Sequence, residues 1–433
     1  MNRLLNTTIA ATILLWGACG TTRAQHNTNN PYSMFGIGEL RPQTNAVNAG
    51  MGNSGFALPS GSTLNLLNPA SFAGIDTLNV LFDIGVDGKY ADFHSTGQRN
   101  QAFTGNFSYL ALGFRVTKWM AAGLGVNPFS HTGYEINSSS SVEGVYGSYP
   151  LDIVGSGNIS RAYINLAVSP VKNLALGFKP SFLFGAMEQS QTHRLNQFTG
   201  NDDFLTAGDI VNTTKDYFYN FFFEFGFQYT LKLKPGTFSA GAIYIPSMAL
   251  VTDRTNTAYE TSWGTVENKY KKDFIIPEEI GAGLAFRNQR WRAALDGGLQ
   301  KWSDFNYYKL AGIRLQNNPY IRSGVEFTPT FDAYAPLYRR MSYRLGMQYE
   351  KSYLLLHNTD QYEYCLSLGV GLPLRYLADN FRMRSFQASP RLDIALEFGR
   401  NGATVNRLIQ EDFIRLRLGF AMRDFWFLHR VYD

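Results

Sequence analysis

The alternation of apolar and polar positions is clearest between Tyr217 and Leu231. Every second residue of this stretch is apolar or aromatic, and the intervening positions include Asn220, Glu224 and Gln228. A period of two identifies a β-strand, and fifteen residues exceed the about 9–11 that a tilted strand needs to cross a bilayer. Strands of soluble proteins are usually about 5–6 residues long. The stretch therefore predicts a membrane-spanning strand whose apolar side faces lipid.

The same alternation recurs along the chain after residue 78. It predicts about fourteen strands, and an even number is expected for a bacterial barrel formed by one chain. Short connections alternate with long polar stretches, which predict periplasmic turns and extracellular loops respectively. The long stretches are 91–104, 135–156, 191–213 and 252–271. We therefore expect an all-β fold, a transmembrane antiparallel β-barrel over residues 79–433. The connection 375–389 is long where a short turn is expected, and we expect it to hold a small helix or a bulge.

The N-terminus has the organisation of a secretory signal. A basic residue precedes an apolar run from Ile9 to Ala18, and small residues precede Gln25. This arrangement predicts a signal peptide at residues 1–24, cleaved after Ala24. A lipoprotein signal that uses Cys19 is the alternative.

The segment 25–78 differs from everything that follows it. It is rich in Gly, Asn, Ser and Pro and shows no sustained period of 2 or 3.6. It is too short to bury a core of its own. We therefore expect it to be an N-terminal plug, or hatch, inside the barrel lumen.

The composition agrees with a barrel and excludes several other classes. Charged residues make up 17% of the chain and aromatic residues 15%, and the mean hydropathy is −0.19. That mixture suits a wall that is apolar outside, polar inside and lined by aromatic girdles at both interfaces. Trp302 is expected in such a girdle. Removal of Arg3 and Arg23 with the signal peptide would lower the net charge from +5 to +3, which does not indicate nucleic acid binding.

Several motifs resemble the FadL/TodX family of outer-membrane transporters for long-chain fatty acids and aromatic hydrocarbons. The likeness is carried by the order of several motifs along the chain, among them three neighbouring segments: Pro277–Phe286, Trp291–Asp296 and Trp302–Phe305. The N-terminal hatch motif of the family is matched by Asn68, Pro69 and Ala70, after Gly50, Gly52 and Gly55. Further likenesses are Gly123–Phe129, Tyr343–Gly346 and Leu366–Gly369.

The resemblance implies a fourteen-stranded barrel, a plugging hatch and passive uptake of hydrophobic molecules. It also implies a third strand that bends inward and opens the wall. Pro128 fits such a break because proline lacks the N–H that a strand ladder requires. We therefore expect a lateral opening at Asn127, Pro128 and Phe129. The alternative is that Asn127-Pro128 merely ends a short third strand, just as Asn68-Pro69-Ala70 could be a simple turn.

The alternation also assigns a set of side chains to the lumen. The charged members are expected to pair with one another and with the plug, because isolated charges away from water are costly. In a sharper hypothesis, one of the arginines Arg344, Arg415 and Arg417 meets a ligand carboxylate. The lumen-facing candidates are Phe218, Phe222, Glu224, Arg292, Asp296, Arg344, Arg415 and Arg417.

Two functional hypotheses follow. The first is an outer-membrane transporter that passes a hydrophobic small molecule through a plugged barrel and releases it sideways into the membrane. The second is a non-transporting barrel whose long loops bind a surface or host partner. Phe218 and Phe222 favour the first, since a water-filled pore would carry polar groups there. The six histidines show no spacing typical of a catalytic or metal site, so we expect no enzyme, no metal and no cofactor. The expected partners are the ligand and outer-membrane lipid, and the expected state is a monomer.

Overall fold

The computed structural model describes residues 30–61, 63–77, 79–141, 147–198, 208–260, 264–304, 313–332, 334–374 and 390–425. The predicted signal peptide, Cys19 and the connection 375–389 lie outside these residues. Among the described residues, no helix is both long enough and apolar enough to cross a membrane.

Fourteen antiparallel strands in the described part of the chain form one closed barrel, and the last strand pairs with the first. The predicted fold is therefore confirmed. The strands are β1 (Asn79–Ser95), β2 (Gln98–Arg115), β3 (Met120–Ser140), β4 (Tyr149–Val168), β5 (Leu174–His193), β6 (Ile210–Leu233), β7 (Gly236–Ile245 and Met248–Glu260), β8 (Gly264–Lys271, Phe274–Ile276 and Glu279–Arg287), β9 (Trp291–Gln300), β10 (Ile313–Leu315 and Asn318–Phe327), β11 (Ser342–Leu356), β12 (Thr359–Pro373), β13 (Arg391–Asn401) and β14 (Gln410–Phe425).

The remaining described elements are short. One two-residue strand lies in the N-terminal segment and pairs with β3. Two single-turn helices, α1 and α2, and five 3₁₀ turns complete the described structure. They are the strand Glu39–Leu40, α1 (Ala46–Ala49), α2 (Leu337–Arg340), and the 3₁₀ turns Pro31–Met34, Pro69–Gly74, Leu195–Gln197, Trp302–Asp304 and Val405–Arg407.

The two faces of β6 show how the wall separates lipid from lumen. Phe221, Phe225 and Phe227 are exposed on the outer face, whereas Phe218 and Phe222 are each only 2% exposed on the inner face. Alternate residues of a strand point to opposite sides, so the alternation in the sequence becomes a difference between lipid and lumen. With its apolar outer surface and closed sheet, the molecule is an outer-membrane β-barrel.

We expect Phe225→Arg to impair folding because it places a guanidinium on the lipid face. Phe225 lies between Tyr217 and Tyr229 of the same face, and an arginine near the membrane midplane costs about 2–4 kcal/mol. Equilibrium urea unfolding in lipid vesicles measures the change. The matched control is Tyr259→Arg, an exposed aromatic beyond the membrane, which is expected to be near neutral. Equal damage from both variants would show that the depth or the face of β6 is assigned wrongly.

The prediction of long loops was wrong for much of the polar sequence. The stretch 91–104 is almost entirely strand, since β1 and β2 meet in a turn of two residues at 96–97. In 135–156 and 252–271, β3–β4 and β7–β8 also continue well into the expected loops, whereas in 191–213 the strands β5 and β6 cover only 191–193 and 210–213. The reason is physical: beyond the membrane both faces of a strand meet water, so the side-chain alternation ends before the backbone pairing does. The short turns at 117–118, 171–172, 232–236 and 288–289 are placed as expected.

The N-terminal residues 30–77 lie within the ring of strands and contact its inner face on several sides. Asn53 Nδ2 donates to Gln348 Oε1 of β11 at 2.8 Å, and Arg417 Nη1 of β14 donates to Thr44 Oγ1 at 2.7 Å. On another side, Asn165 Nδ2 of β4 donates to the carbonyl of Pro69 at 3.0 Å. We refer to residues 30–77 as the N-terminal segment.

Candidate functional site

The Asn68-Pro69-Ala70 motif connects the N-terminal segment to the wall. Asn68 Nδ2 lies 2.7 Å from the carbonyl oxygen of Phe56, and 3.1 and 3.3 Å from those of Phe227 and Ala242 on β6 and β7. Asn68 Oδ1 accepts from the N–H of Ala70 at 2.9 Å and so caps the 3₁₀ turn that follows. The motif is therefore both a local turn and a contact with the barrel.

Inward-facing glycines allow the backbone of the N-terminal segment to touch the wall. A Cβ on Gly226 would lie 2.1 Å from Asn68 Oδ1, and one on Gly346 would lie 2.0 Å from the backbone nitrogen of Gly52. No side chain fits at such distances, so each of these positions requires glycine. Six glycines, one on each of β5, β6, β7, β10, β11 and β12, meet the N-terminal segment in this way. We call them the glycine belt: Gly177, Gly226, Gly241, Gly324, Gly346 and Gly369.

The predicted lumen charges face inward, and each has a partner. Asp296 Oδ2 accepts from the backbone N–H groups of Gly55 and Phe56 at 2.5 and 2.9 Å. Arg415 and Arg417 each lie 3.2 Å from Glu397. These contacts leave both carboxylates, Asp296 and Glu397, neutralised or hydrogen-bonded.

A second group of lumen charges is centred on Glu326. Arg344 lies 2.7 Å from Glu326 and 2.8 Å from Asp393, and Arg292 also pairs with Glu326. Arg344 is therefore engaged by two carboxylates of the wall. Arg344, Arg415 and Arg417 are thus all paired with carboxylates of the wall. These pairs give no support to the hypothesis that one of the three arginines binds a ligand carboxylate.

Two buried cations next to Glu224 were missed by the sequence analysis. Arg161 Nη1 on β4 lies 2.5 Å from Glu224 Oε1, and Lys179 Nζ on β5 pairs with the same carboxylate. Gln43 of the N-terminal segment joins the network, accepting from Lys179 at 2.9 Å and donating to Glu224 at 2.6 Å. Lys179 alternates with Leu176 and Phe178 of the predicted fifth strand, so the alternation that assigns other side chains to the lumen assigns Lys179 to it as well.

An apolar cluster fills the lumen beside this network. It includes Phe129, Phe218, Phe222 and Trp302 together with Ile, Leu and Met side chains. A cavity of about 110 Å³ opens beside it, bordered by Phe129, Phe222 and Trp302 on its apolar side and by Arg41, Glu224, Glu279 and Arg322 on its charged side. The lumen thus offers a small, largely apolar site that borders a buried charge network.

Trp302 does not belong to an interfacial girdle, so that prediction was wrong. Its side chain is 2% exposed and stacks on Tyr353, with ring centroids 4.5 Å apart. Its indole N–H donates to Gln300 Oε1 at 3.0 Å. The 3₁₀ turn Trp302–Asp304 directs the ring inward, and sequence alternation carries no information about the direction of such a turn.

The wall is interrupted next to the cavity, between β2 and β3. Their pairing runs from Arg115↔Ala121 to Leu110↔Val126 and ends there, although both strands continue. On the other edge of β3, the register with β4 shifts between Pro128 and Ser130, so Phe129 is the extra residue of a bulge.

The bulge turns the outer half of β3 toward the lumen and the apolar cluster. Glu39-Leu40 of the N-terminal segment pairs with His131 and Ser130 of β3. The Phe129 ring is buried and meets Phe222 edge to face, with ring centroids 5.6 Å apart. Asn127 Oδ1 accepts from Arg161 at 3.1 and 3.3 Å. Asn127, Pro128 and Phe129 therefore connect the interruption, the apolar cluster and the charge network.

A family model described as BamG matches residues 5–433. The chain belongs to the BamG family. No curated protein matches the chain.

Solved structures with the same fold as this BamG-family barrel include three transport proteins. The toluene transporter TodX of Pseudomonas putida shares 15% identity and a TM-score of 0.58, over 90% of this chain and 100% of that chain. The toluene transporter TbuX of Ralstonia pickettii shares 13% identity and a TM-score of 0.56, over 88% and 99%. A FadL homologue of Pseudomonas aeruginosa shares 14% identity and a TM-score of 0.54, over 89% and 98%. The resemblance to the FadL/TodX family is thus confirmed at the level of the fold.

Most buried charged side chains of this BamG-family barrel pair with one another. In the described ranges, no group of three or more His, Cys, Asp or Glu side chains is arranged to hold a metal ion. His193 contacts Tyr149 and Asn212, and His94 lies near Asp92. The apolar cavity and the adjoining interruption of the wall are therefore the candidate functional site.

Proposed function

We propose that this BamG-family protein is an outer-membrane channel for hydrophobic small molecules. Its cargo would enter the apolar lumen cavity and leave sideways between β2 and β3. The observation that carries the proposal is the position of Phe129, which is at once the bulge residue of the interrupted wall and part of the apolar cluster. The named activities of the structures with this fold, toluene transport among them, support the same class of cargo.

The N-terminal segment would act as the plug of this channel. Its backbone meets the glycine belt, and Asn68 and Gln228 both donate to the carbonyl of Phe56. A straight path along the barrel axis would have to break these contacts. A fixed plug therefore favours a sideways exit, with Asn68, Pro69 and Ala70 as its anchor on the wall.

Sideways release also suits the chemistry of the cargo. A hydrophobic molecule released into periplasmic water would lose about 25 cal/mol for each Å² of apolar surface that it exposes. Release through the interruption keeps the molecule in apolar surroundings, because the neighbouring outer face carries exposed Phe103 and Phe107. Outer-membrane lipid would then be the acceptor, and a monomer would be sufficient for the route.

The size of the cavity favours a small aromatic hydrocarbon over a long-chain fatty acid. Its volume of about 110 Å³ is of the same order as the about 150 Å³ apolar cavity that binds benzene in an engineered protein. An extended acyl chain would need the cluster around Phe222 to open further. Toluene and a long-chain fatty acid are therefore the two informative probes.

Deleting Phe129 is expected to reduce toluene uptake. The deletion removes the extra residue between Pro128 and Ser130, so β3 can pair with β4 without a bulge and its outer half is no longer directed inward. We expect uptake of radiolabelled toluene to fall about tenfold, equivalent to about 1.4 kcal/mol of barrier. Uptake is measured in cells with equal amounts of each variant in the outer membrane, and labelled oleate is tested in parallel.

The matched control is Phe129→Ala, which removes the ring but keeps the chain length and the bulge. It is expected to retain most of the uptake. If deletion and substitution reduced uptake equally, the ring and not the opening would be responsible. If the wild-type protein gave no more uptake than the empty vector, the transport proposal would fail.

A second candidate function is supported by the extracellular extension of β6, β7 and β8. The eight residues Gly264–Lys271 are all exposed, and they pair with β7 on one edge. Exposed Tyr259, Val266 and Tyr270 lie on this hairpin. A sheet that extends beyond the membrane could bind a surface or host partner, and it would do so without any uptake.

A further inference from the structure

The opposite end of the barrel contains a large open cavity that the proposed channel does not use. It lies at the end that carries the short connections, which is the periplasmic end. Its volume is about 1000 Å³, and the residues Leu58–Gly61 and Ala73-Gly74 of the N-terminal segment line its inner limit. A second cavity of about 580 Å³ shares Arg287, Phe331 and other lining residues with it. We call the two together the periplasmic vestibule.

The vestibule has a strong excess of positive charge. Five cationic side chains line the larger cavity, and the one carboxylate among its lining residues is Asp76. The smaller cavity adds Arg290 and Arg292, with Glu326 as its carboxylate. The five cationic residues of the larger cavity are Lys232, Arg287, Arg340, Arg391 and Arg423.

Within the part of the chain that the structure describes, three of these seven cations form an ion pair: Arg292, Arg391 and Arg423. Glu326 already binds Arg292 and Arg344, and Asp76 lies 3.9 Å from Arg423. Within the described residues, no ion pair or side-chain hydrogen bond involves Arg287 or Arg340.

Individual polar atoms of the vestibule also have no partner among the described residues. Arg391 Nε lies 2.8 Å from Asp393, but no described residue makes a hydrogen bond to its buried Nη2 or to the buried Nε of Arg340. Buried donors of this kind are costly unless an acceptor is supplied. An acceptor from outside the chain would complete the site.

We infer that the periplasmic vestibule binds a carboxylate-rich segment of a periplasmic protein. Guanidinium groups pair with carboxylates through two parallel hydrogen bonds, and several cations around one cavity suit a chain that carries several carboxylates. Exposed Phe331, Tyr334 and Tyr338 stand beside the cavity and extend the contact surface with aromatic rings.

A lipid headgroup fits the vestibule less well than a peptide does. The vestibule opens along the barrel axis and is enclosed by strand ends, so a bound phospholipid would have to withdraw its acyl chains from the bilayer. That withdrawal costs about 0.8 kcal/mol for each exposed CH₂ group. A peptide approaches from the water at no such cost.

The two segments that adjoin the vestibule residues in sequence contain no excess of carboxylates. The connection 375–389 carries three arginines and one aspartate, and residues 426–433 carry one arginine and one aspartate. The neutralising segment is therefore expected to come from another protein.

The inference is tested with a fluorescein-labelled octaglutamate peptide and the full-length protein in phosphatidylcholine nanodiscs. Fluorescence anisotropy is expected to show saturable binding that weakens as salt is added. The variant Arg287→Gln/Arg340→Gln is expected to bind about tenfold more weakly or worse, because charge-assisted hydrogen bonds are lost. The side chain of neither arginine forms an ion pair or a hydrogen bond with another described residue, so heat-modifiable gel migration is expected to remain normal.

The matched control is Lys118→Gln/Lys172→Gln, which removes the same charge from periplasmic turns outside the vestibule. This control is expected to bind like the wild type. Equal weakening in both variants, or no binding by the wild type, would overturn the inference. Loss of peptide binding in nanodiscs that contain phosphatidylglycerol would assign the vestibule to anionic lipid, and displacement by millimolar inorganic phosphate would assign it to a small anion. Both results would overturn the peptide assignment and leave the channel proposal unaffected.

Discussion

Replacing Gly346 with valine is expected to expel the N-terminal segment from the lumen. A Cβ at this position would lie 2.0 Å from the backbone nitrogen of Gly52 and 2.2 Å from the carbonyl carbon of Met51. Both are backbone atoms, so no rotation of a side chain can relieve the clash. Overpacking usually costs about 1–3 kcal/mol, and we expect the upper end here. The barrel pairs its strands independently of this contact and is expected to remain closed.

Limited trypsin digestion provides the measurement. Arg41 belongs to the N-terminal segment and its side chain is 12% exposed in the native protein. In the Gly346→Val variant, cleavage after Arg41 is expected to become rapid while heat-modifiable migration of the barrel persists. The control is Gly105→Val, because a Cβ at Gly105 meets no atom within 4 Å. Resistance of the Gly346→Val variant to trypsin would show that the segment is not held against the glycine belt.

The substitution Glu224→Gln is expected to destabilise the protein by about 3–5 kcal/mol, since it leaves two buried cations without a carboxylate. The side chains of Arg161 and Lys179 are only 1% and 3% exposed, so water cannot replace the lost charge. The free energy of unfolding is measured by urea titration in lipid vesicles. The exposed pair Arg400–Asp412 provides the comparison, and Asp412→Asn is expected to cost less than about 1 kcal/mol.

A second substitution separates charge from packing. Adding Lys179→Met to Glu224→Gln removes one of the two unbalanced cations, so the double variant is expected to lose less stability than Glu224→Gln alone. If the two substitutions were simply additive, Glu224 would act through its shape or its hydrogen bond to Gln43 and not through its charge.

The sequence was sufficient for the barrel but not for its interior. The strand β6 was recognisable because its lipid-facing positions, such as Phe221 and Phe225, are all apolar over more than the width of the membrane. The glycine belt was not recognised, because glycine in a sequence indicates a turn as readily as a close contact. Gly226 and Gly346 are required because they contact Asn68 and Gly52, which are distant from them in sequence.

The interruption of the wall could be expected from the sequence, whereas the cavity could not. Pro128 lacks the N–H that the ladder needs, so a break near it could be expected from one residue. The cavity depends on Trp302 turning inward and on the partners that Lys179 and Arg161 find across the lumen. These are relations between distant segments, and alternation along one strand contains no information about them.

The position of the N-terminal segment also has a consequence for the order of folding. Asn53 donates to Glu397, which is 344 residues away, and Tyr32 donates to the carbonyl of Ile409, which is 377 residues away. The segment synthesised first is thus completed by the strands synthesised last. Contact order this high predicts slow folding, and until the strands close around the segment, Phe56, Leu64 and Phe72, which are buried in the folded protein, have no barrel wall to pack against. Pairing of β14 with β1 closes the barrel and is then the final folding step, and it encloses the N-terminal segment in the lumen.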